Sequence, residues 1–305
     1  MPLFVSYFSG LTYNCERSSY DLTPLPSSII KAGKVFACNK QMIPVDNHNG
    51  TLAVVLELDT ELDEKTYYKS IERLKNLICL AYDTMPQEQR LEHTDGSLDD
   101  IVNANLSEHF YNPDIRYGSQ LTWDLPMRIA AYSQHIAKMP EKAQNKFWQA
   151  LQTYCYARQI AHLPNPQYKY TLYMSLHLAS IDQLAENPKN LHDKTTKLSC
   201  PICGELNVAH NTSHVDEIEK MMRSLIEADR VEVWVTLMKK LYHPVRSNFV
   251  HDGNFAGLED IGGFIALWEN NTELSENDIN LMILNKMLLE KYLQANQPET
   301  TIASN

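Results

Sequence analysis

Residues Leu241–Gly253, LYHPVRSNFVHDG, stand at the end of an apolar helical pattern that runs from about residue 216 to residue 242. Within this stretch Arg246 and His251 are separated by four residues. Histidine transfers protons near neutral pH, whereas arginine keeps its charge and binds a phosphate through a planar fork. These two residue types could perform phosphodiester chemistry without a metal ion. The spacing is common by chance, so the helical setting is what makes it informative.

Pro244 determines the local geometry expected for this stretch. It disfavours helix at His243 and suits the first turn of a new helix. If that new segment is helical, five residues place Arg246 and His251 about 140° apart around its axis. Two copies that face each other across a two-fold axis could line one groove with both pairs of side chains. The sequence therefore favours a homodimer.

The composition is that of an ordinary globular protein, with 44% hydrophobic and 21% charged residues. The net charge of −11 argues against a protein that coats nucleic acid by bulk electrostatics. A small basic patch of Lys239, Lys240 and Arg246 is compatible with a local phosphate-binding cleft, although a solvated helix face explains the lysines equally well. We find neither an apolar run of membrane-spanning length nor a signal peptide, and we expect a cytoplasmic protein with no membrane partner.

The pattern along the chain predicts an α+β protein with two parts. Residues 1–120 form a mixed strand and helix region of unknown role, and residues 121–295 form an all-α helical bundle, followed by a flexible tail at 296–305. Two strands are expected at 34–38 and 51–58, and a long polar connection is expected at 85–118. The predicted helices cover residues 61–83, 126–137, 140–163, 166–185, 216–242 and 275–293, with a weaker apolar segment at 261–268.

A cluster of cysteine and histidine residues interrupts the helices at about 197–215. Cys200 and Cys203 form a Cys-x2-Cys turn, and His210 and His214 follow with three residues between them. Two thiolates and two imidazoles satisfy tetrahedral Zn²⁺, so the spacing predicts a structural zinc site in a small insertion. Thr212 or Ser213 is expected to cap a helix that begins there. The alternative interpretation is two reduced thiols and two surface histidines.

Other histidine and cysteine residues favour a place in the core. Cys155 and His162 are seven residues apart on an apolar helix, which is more typical of core residues than of a nucleophile and its base. His177 lies on a helix rich in Tyr, Met and Leu, and we expect it in the core or at a groove edge.

The run from Leu241 to Gly253 resembles the motif of the HEPN superfamily, and more narrowly of its Apea-like branch. The helix at 170–182 is similar to the core helix that precedes the motif in this family, and a zinc-type insertion before the motif also agrees with it. The resemblance covers roughly residues 140–293. At the position after the arginine the family commonly has a polar residue, often Asn. This chain departs from that pattern, because Ser247 stands there and Asn248 follows one place later.

The resemblance implies a metal-independent endoribonuclease that works as a dimer. His251 would be the general acid or base, and Arg246 would bind the scissile phosphate. Ser247 and Asn248 would orient the phosphate or the histidine by hydrogen bonds. Such domains in bacteria often serve phage defence or toxin–antitoxin systems, which implies RNA as a substrate and an antitoxin or trigger protein as a partner.

Two other functions stay open from the sequence. The Arg/His groove could bind RNA or a nucleotide without cutting it, or the chain could be an interaction module built on a zinc-stapled helical dimer. In a purely structural interpretation, Arg246 caps the carbonyl groups of the preceding helix and His251 is a turn residue before Gly253.

Overall fold

A five-stranded antiparallel sheet with order β2-β3-β4-β1-β5 forms the centre of the first of two packing units. The strands are β1 (Leu3–Leu11), β2 (Ser19–Leu22), β3 (Ile30–Cys38), β4 (Gly50–Leu58) and β5 (Gln87–Thr94). The structure is a computed structural model. It describes residues 3–11, 19–22, 30–38, 50–58, 64–82, 87–94, 96–105, 125–161, 169–186, 213–242, 245 and 272–297.

Both faces of this sheet are covered. Successive side chains of a strand point to opposite faces, yet Val54 and Val55 of β4 are both fully buried. Helix α2 (Leu98–Asn105) covers one face, where Ile101 and Val102 pack in one cluster with Phe36 and other strand residues. Helix α3 (Leu125–Lys138) contacts β2 and β3 and also packs against α1 (Glu64–Tyr82).

Strand β5 and helix α2 occupy the region that the sequence suggested to be a polar connection. Strand β5, QEQRLEHT, has almost no apolar residues, and among the described residues it pairs with β1 alone. Helix α2 has a clear start signal, because the Ser97 hydroxyl and the Asp100 carboxylate form a reciprocal pair with each other's backbone N–H groups, at 3.2 and 3.3 Å. Gly96 precedes it with φ of +130°, a conformation that other residues rarely adopt.

The second unit spans residues 145–295, and the elements described in it are all helices. It contains most of α4 (Glu141–Ala161), together with α5 (Lys169–Leu184), α6 (His214–Leu225), α7 (Val231–Leu241) and α8 (Thr272–Ala295). Helix α5 contacts α6 and α8, and α6 and α8 each contact α7. Its fully buried apolar side chains include Phe147, Leu151, Tyr154, Leu178, Ile181, Ile218, Met222, Met238, Leu281, Leu284 and Leu288.

The predicted helix at 216–242 is two helices. The backbone of Ile226 is extended, with φ of −105° and ψ of 142°, and this ends α6. The next helix begins at Val231, whose N–H group donates to the carbonyl of Glu227. Neither proline nor glycine occurs between the two helices. The helical spacing of apolar residues continues through the break, which is why the sequence predicted one helix.

The expected mixture of strands and helices is confirmed at the level of an α+β fold. The predicted boundary near residue 120 and the weak segment at 261–268 lie outside the described residues and stay predictions. Within the described ranges, no helix is long and apolar enough to cross a membrane.

The contact of α2 with the sheet gives a stability prediction. Ile101→Ala should lower the free energy of unfolding by about 2–4 kcal/mol, because it removes a buried side chain between α2 and the sheet. The exposed residue Asn103 on the same helix provides the control. Asn103→Ala should change the free energy of unfolding by less than about 0.5 kcal/mol. Chemical unfolding measures both. Equal effects of the two substitutions would show that α2 does not pack on the sheet in solution.

Candidate functional site

The candidate site is the place where α7 ends and the Arg/His stretch begins. Tyr242 keeps a helical backbone and donates its N–H to the carbonyl of Met238, so the helical path continues one residue past α7. Tyr242 and Val245 are both buried. The chain entering the stretch is therefore packed into the helical unit.

Ser175 on α5 is hydrogen bonded to this stretch. Its Oγ donates to the backbone carbonyl of Val245 at 3.3 Å, and the two residues are 4% and 3% exposed. A buried carbonyl group without a partner costs free energy, so this bond satisfies a group that water cannot reach. The carbonyl belongs to the peptide group that joins Val245 to Arg246.

The four residues of the predicted ribonuclease site, Arg246, Ser247, Asn248 and His251, lie outside the described residues. Their roles stay predictions. The described part of the chain supplies the helices that lead to them and the buried contact immediately before them.

A buried polar cluster joins helices α4, α5 and α8. His177 is fully buried, and its Nδ1 is 3.0 Å from the amide nitrogen of Asn285. Ser180 donates to the carbonyl of Ala150 at 2.8 Å and also lies 3.0 Å from Oδ1 of Asn285. The cluster joins three helices through hydrogen bonds.

The available hydrogen atoms indicate which atom of the Asn285 amide faces Ser180 and which faces His177. The single hydroxyl hydrogen of Ser180 is used by Ala150, so none is left for Asn285 Oδ1. If the oxygen and nitrogen of the amide are exchanged, the amide donates to Ser180 Oγ and accepts from His177 Nδ1–H. Nε2 of His177, which has no hydrogen-bond partner among the described residues, is then an unprotonated nitrogen rather than an orphaned N–H.

The surroundings of His177 keep its ring neutral. Burial, and secondarily the positive charge of Arg158, lowers the pKa of His177 to about 3. The rings of Tyr173 and Tyr154 pack edge-to-face against the imidazole, with centroids 4.5 and 5.5 Å away. His177 is a core residue, as the sequence suggested. The buried imidazole joins α5 to α8 through its contact with Asn285.

The prediction of a structural Zn²⁺ is corrected by the structure. No group of three or more His, Cys, Asp and Glu side chains in the described ranges could hold a metal ion. His214, the one predicted ligand within those ranges, instead has its Nδ1 3.1 Å from a carboxylate oxygen of Asp182 on α5. Cys200, Cys203 and His210 lie outside the described residues.

The start of α6 is nonetheless as expected. Ser213 caps the helix, because the N–H of Asp216 donates to its Oγ at 3.1 Å and the Asp216 carboxylate accepts from its backbone N–H at 2.8 Å. Cys155 is also confirmed as a core residue, at 1% exposed, while His162 lies outside the described residues.

An exposed ion-pair network modifies the predicted basic patch. Lys239 on α7 binds the carboxylate of Glu219 on α6, and Arg223 binds both Glu219 and Glu232. Hydrogen bonds from Lys239, and then from Arg223, lower the pKa of Glu219, so this carboxylate keeps its negative charge. Part of the charge of Lys239 is therefore compensated. The network ties α6 to α7 on the solvent side.

Sequence reasoning did not single out Ser175, Ser180 or Asn285 as buried polar contacts. Each is a polar residue at an apolar position of a predicted helix, which is an available but weak signal. The partner of Ser175 is far away in the chain, so helical periodicity cannot reveal it.

Comparison with known proteins adds nothing to this geometry. No protein-family model, curated protein or solved structure matches the chain.

Burial of His177 predicts a loss of stability in acid. In the unfolded chain the His177 imidazole takes up a proton near pH 6.5, whereas in the folded protein it does so only near pH 3. Titration of His177 should therefore leave the free energy of unfolding unchanged above about pH 6.5. Below about pH 6.5 it should lower this free energy by about 1.4 kcal/mol for each pH unit. Urea unfolding of wild type and His177→Gln between pH 4.5 and 7.5 measures the difference in slope. Identical slopes would show that His177 is not buried as a neutral group.

Asn285 should contribute strongly to the stability of the helical unit. Asn285→Ala leaves Ser180 and His177 without their shared partner, and we expect the free energy of unfolding to fall by at least about 2 kcal/mol. Gln294→Ala on the exposed side of the same helix is the matched control and should have little effect. Chemical unfolding with circular dichroism compares the two. An equally small effect for both would exclude the hydrogen-bonded cluster.

Proposed function

We propose that the protein is a metal-independent endoribonuclease of the HEPN type. The 2′-hydroxyl of an RNA nucleotide attacks the adjacent phosphate, and the products carry a 2′,3′-cyclic phosphate and a 5′-hydroxyl. The observation that supports this best is the buried contact between Ser175 and Val245. It fastens the backbone immediately before Arg246 to the helical unit.

The chemistry assigns a role to each residue of the motif. His251 transfers a proton to or from the reacting oxygens, and Arg246 binds the scissile phosphate and stabilises charge in the transition state. Ser247 and Asn248 orient the phosphate or His251 by hydrogen bonds. These roles come from the resemblance and from the residue types.

The charge distribution limits how RNA is bound. The chain carries a net charge of −11, and Glu219 compensates part of the charge of Lys239 near the end of α7. Phosphate binding in this proposal therefore depends on Arg246, and a second copy of the chain doubles the local positive charge. A homodimer with one shared groove fits this requirement.

The biological setting follows from the resemblance alone. We propose a role in bacterial phage defence or in a toxin–antitoxin system, with an antitoxin or trigger protein that controls the activity. In the cytoplasm an unrestrained ribonuclease would damage the host's own RNA, which is why a controlling partner belongs to the proposal.

The test is incubation of purified protein with a mixed RNA pool in EDTA, followed by mapping of the new ends. Wild type should leave cyclic phosphate ends, and His251→Ala should cut at least about 10²-fold more slowly, since it lacks the proton-transfer group. His135→Ala, on α3 of the other unit, is the matched histidine control and should keep full activity. Circular dichroism confirms that each variant is folded.

The other outcomes separate the alternatives. Cleavage by His251→Ala at the wild-type rate would refute the proposed mechanism. If wild type binds RNA without cutting it and Arg246→Ala binds more weakly, the protein is a binding module. If wild type neither cuts nor binds RNA and neither substitution changes more than local stability, the helical unit is an interaction module.

A further inference from the structure

We propose that Ser175 is a positioning residue for the reaction described above. Its hydroxyl group holds the peptide that joins Val245 to Arg246, and it thereby fixes where the Arg/His stretch begins. This inference rests on the proposed function. It assigns to α5 a part in the activity that the motif itself does not contain.

The Ser175 hydrogen bond leaves its own helix, as the bond from Ser180 to Ala150 on α4 also does. Serine and threonine side chains in helices commonly bond to a carbonyl one turn earlier in the same helix. Ser133, Ser224 and Thr153 do so here, at 2.8, 2.7 and 3.1 Å. Ser175 instead donates to Val245, 70 residues later in the chain. Its side chain therefore connects two elements instead of serving its own helix.

The burial of both partners makes this connection specific. With Ser175 at 4% and Val245 at 3% exposure, water cannot readily replace either group. Removal of the serine would take away the one hydrogen-bond partner that the described residues give this carbonyl, and the peptide would then be less firmly held. This loss of restraint occurs one residue from the proposed phosphate-binding arginine.

Small displacements matter for this chemistry. A catalytic group that is misplaced by about 1 Å can cost on the order of 10²-fold in rate. Ser175 itself touches no reacting atom, so it should affect the rate of the chemical step without changing the pH profile. The residue that orients and the residues that react are thus on different elements.

The experiment compares Ser175→Ala with Ser133→Ala, which removes an equally buried hydroxyl from α3 in the other unit. We expect amide hydrogen exchange in the peptide that covers 242–253 to become about tenfold faster in Ser175→Ala alone. We also expect kcat for RNA cleavage to fall about tenfold, with KM and the pH profile nearly unchanged. Ser175→Thr, which keeps the hydroxyl, should restore most of the rate. If Ser175→Ala does not fold, Ser175→Cys replaces it, because the thiol is a weak donor of similar size.

The arms of this experiment separate the two proposals. Exchange that is equal in Ser175→Ala and Ser133→Ala would overturn the role of Ser175, whether or not RNA is cut. Faster exchange with an unchanged cleavage rate would also overturn it, since the contact would then not matter to the reaction. Absence of cleavage by wild type overturns the proposal of a ribonuclease that is active without a trigger protein, and the exchange comparison still reports whether Ser175 holds the stretch.

Discussion

The helical unit depends on the polar side chains that α5 buries. Ser175, His177 and Ser180 lie on one helix, and their partners belong to the segment after α7, to α8 and to α4. Apolar side chains of similar volume can pack in more than one arrangement, whereas a buried hydrogen bond forms only where its donor and acceptor meet. The position of α5 therefore fixes the positions of the elements around it, including the beginning of the Arg/His stretch.

This arrangement separates stability from chemistry. His177 is neutral and inaccessible, so its value lies in orienting α5 against α8 through Asn285. The residues that would react with RNA follow Val245 in the chain. Under the proposed function, a substitution in the core could lower activity without touching RNA, because it would move the backbone that leads to Arg246 and His251.

Helical periodicity predicted much of the fold, because most of the helices bury an apolar face. The ends of α3, α4 and α8 lie within about three residues of the predicted ones. Strand β5 was missed because a polar edge strand has no apolar alternation, and the break at Ile226 was missed because neither glycine nor proline marks it. The reciprocal pair of Ser97 and Asp100 could have indicated α2.

The candidate site was harder to predict than the fold. Cysteine and histidine spacing suggested zinc, yet His214 has a carboxylate beside it, which spacing cannot show. The bond from Ser175 to Val245 joins residues far apart in the chain, and no local pattern encodes it. Short-range signals specify elements, whereas the contacts that position a site are long-range.

The connectivity of the first unit affects how the chain can fold during synthesis. Strand β1 lies between β4 and β5, so its hydrogen bonds are complete only after residue 94 has left the ribosome. The same unit also includes the residues after Ala295, where the Gln297 side chain donates to the carbonyl of His135. In the sequence, the helical unit is therefore an insertion between two parts of the first unit. All five described strands lie before residue 95, so the sheet can form before the helical unit has been synthesised, whereas the contact of Gln297 with His135 forms only when synthesis ends.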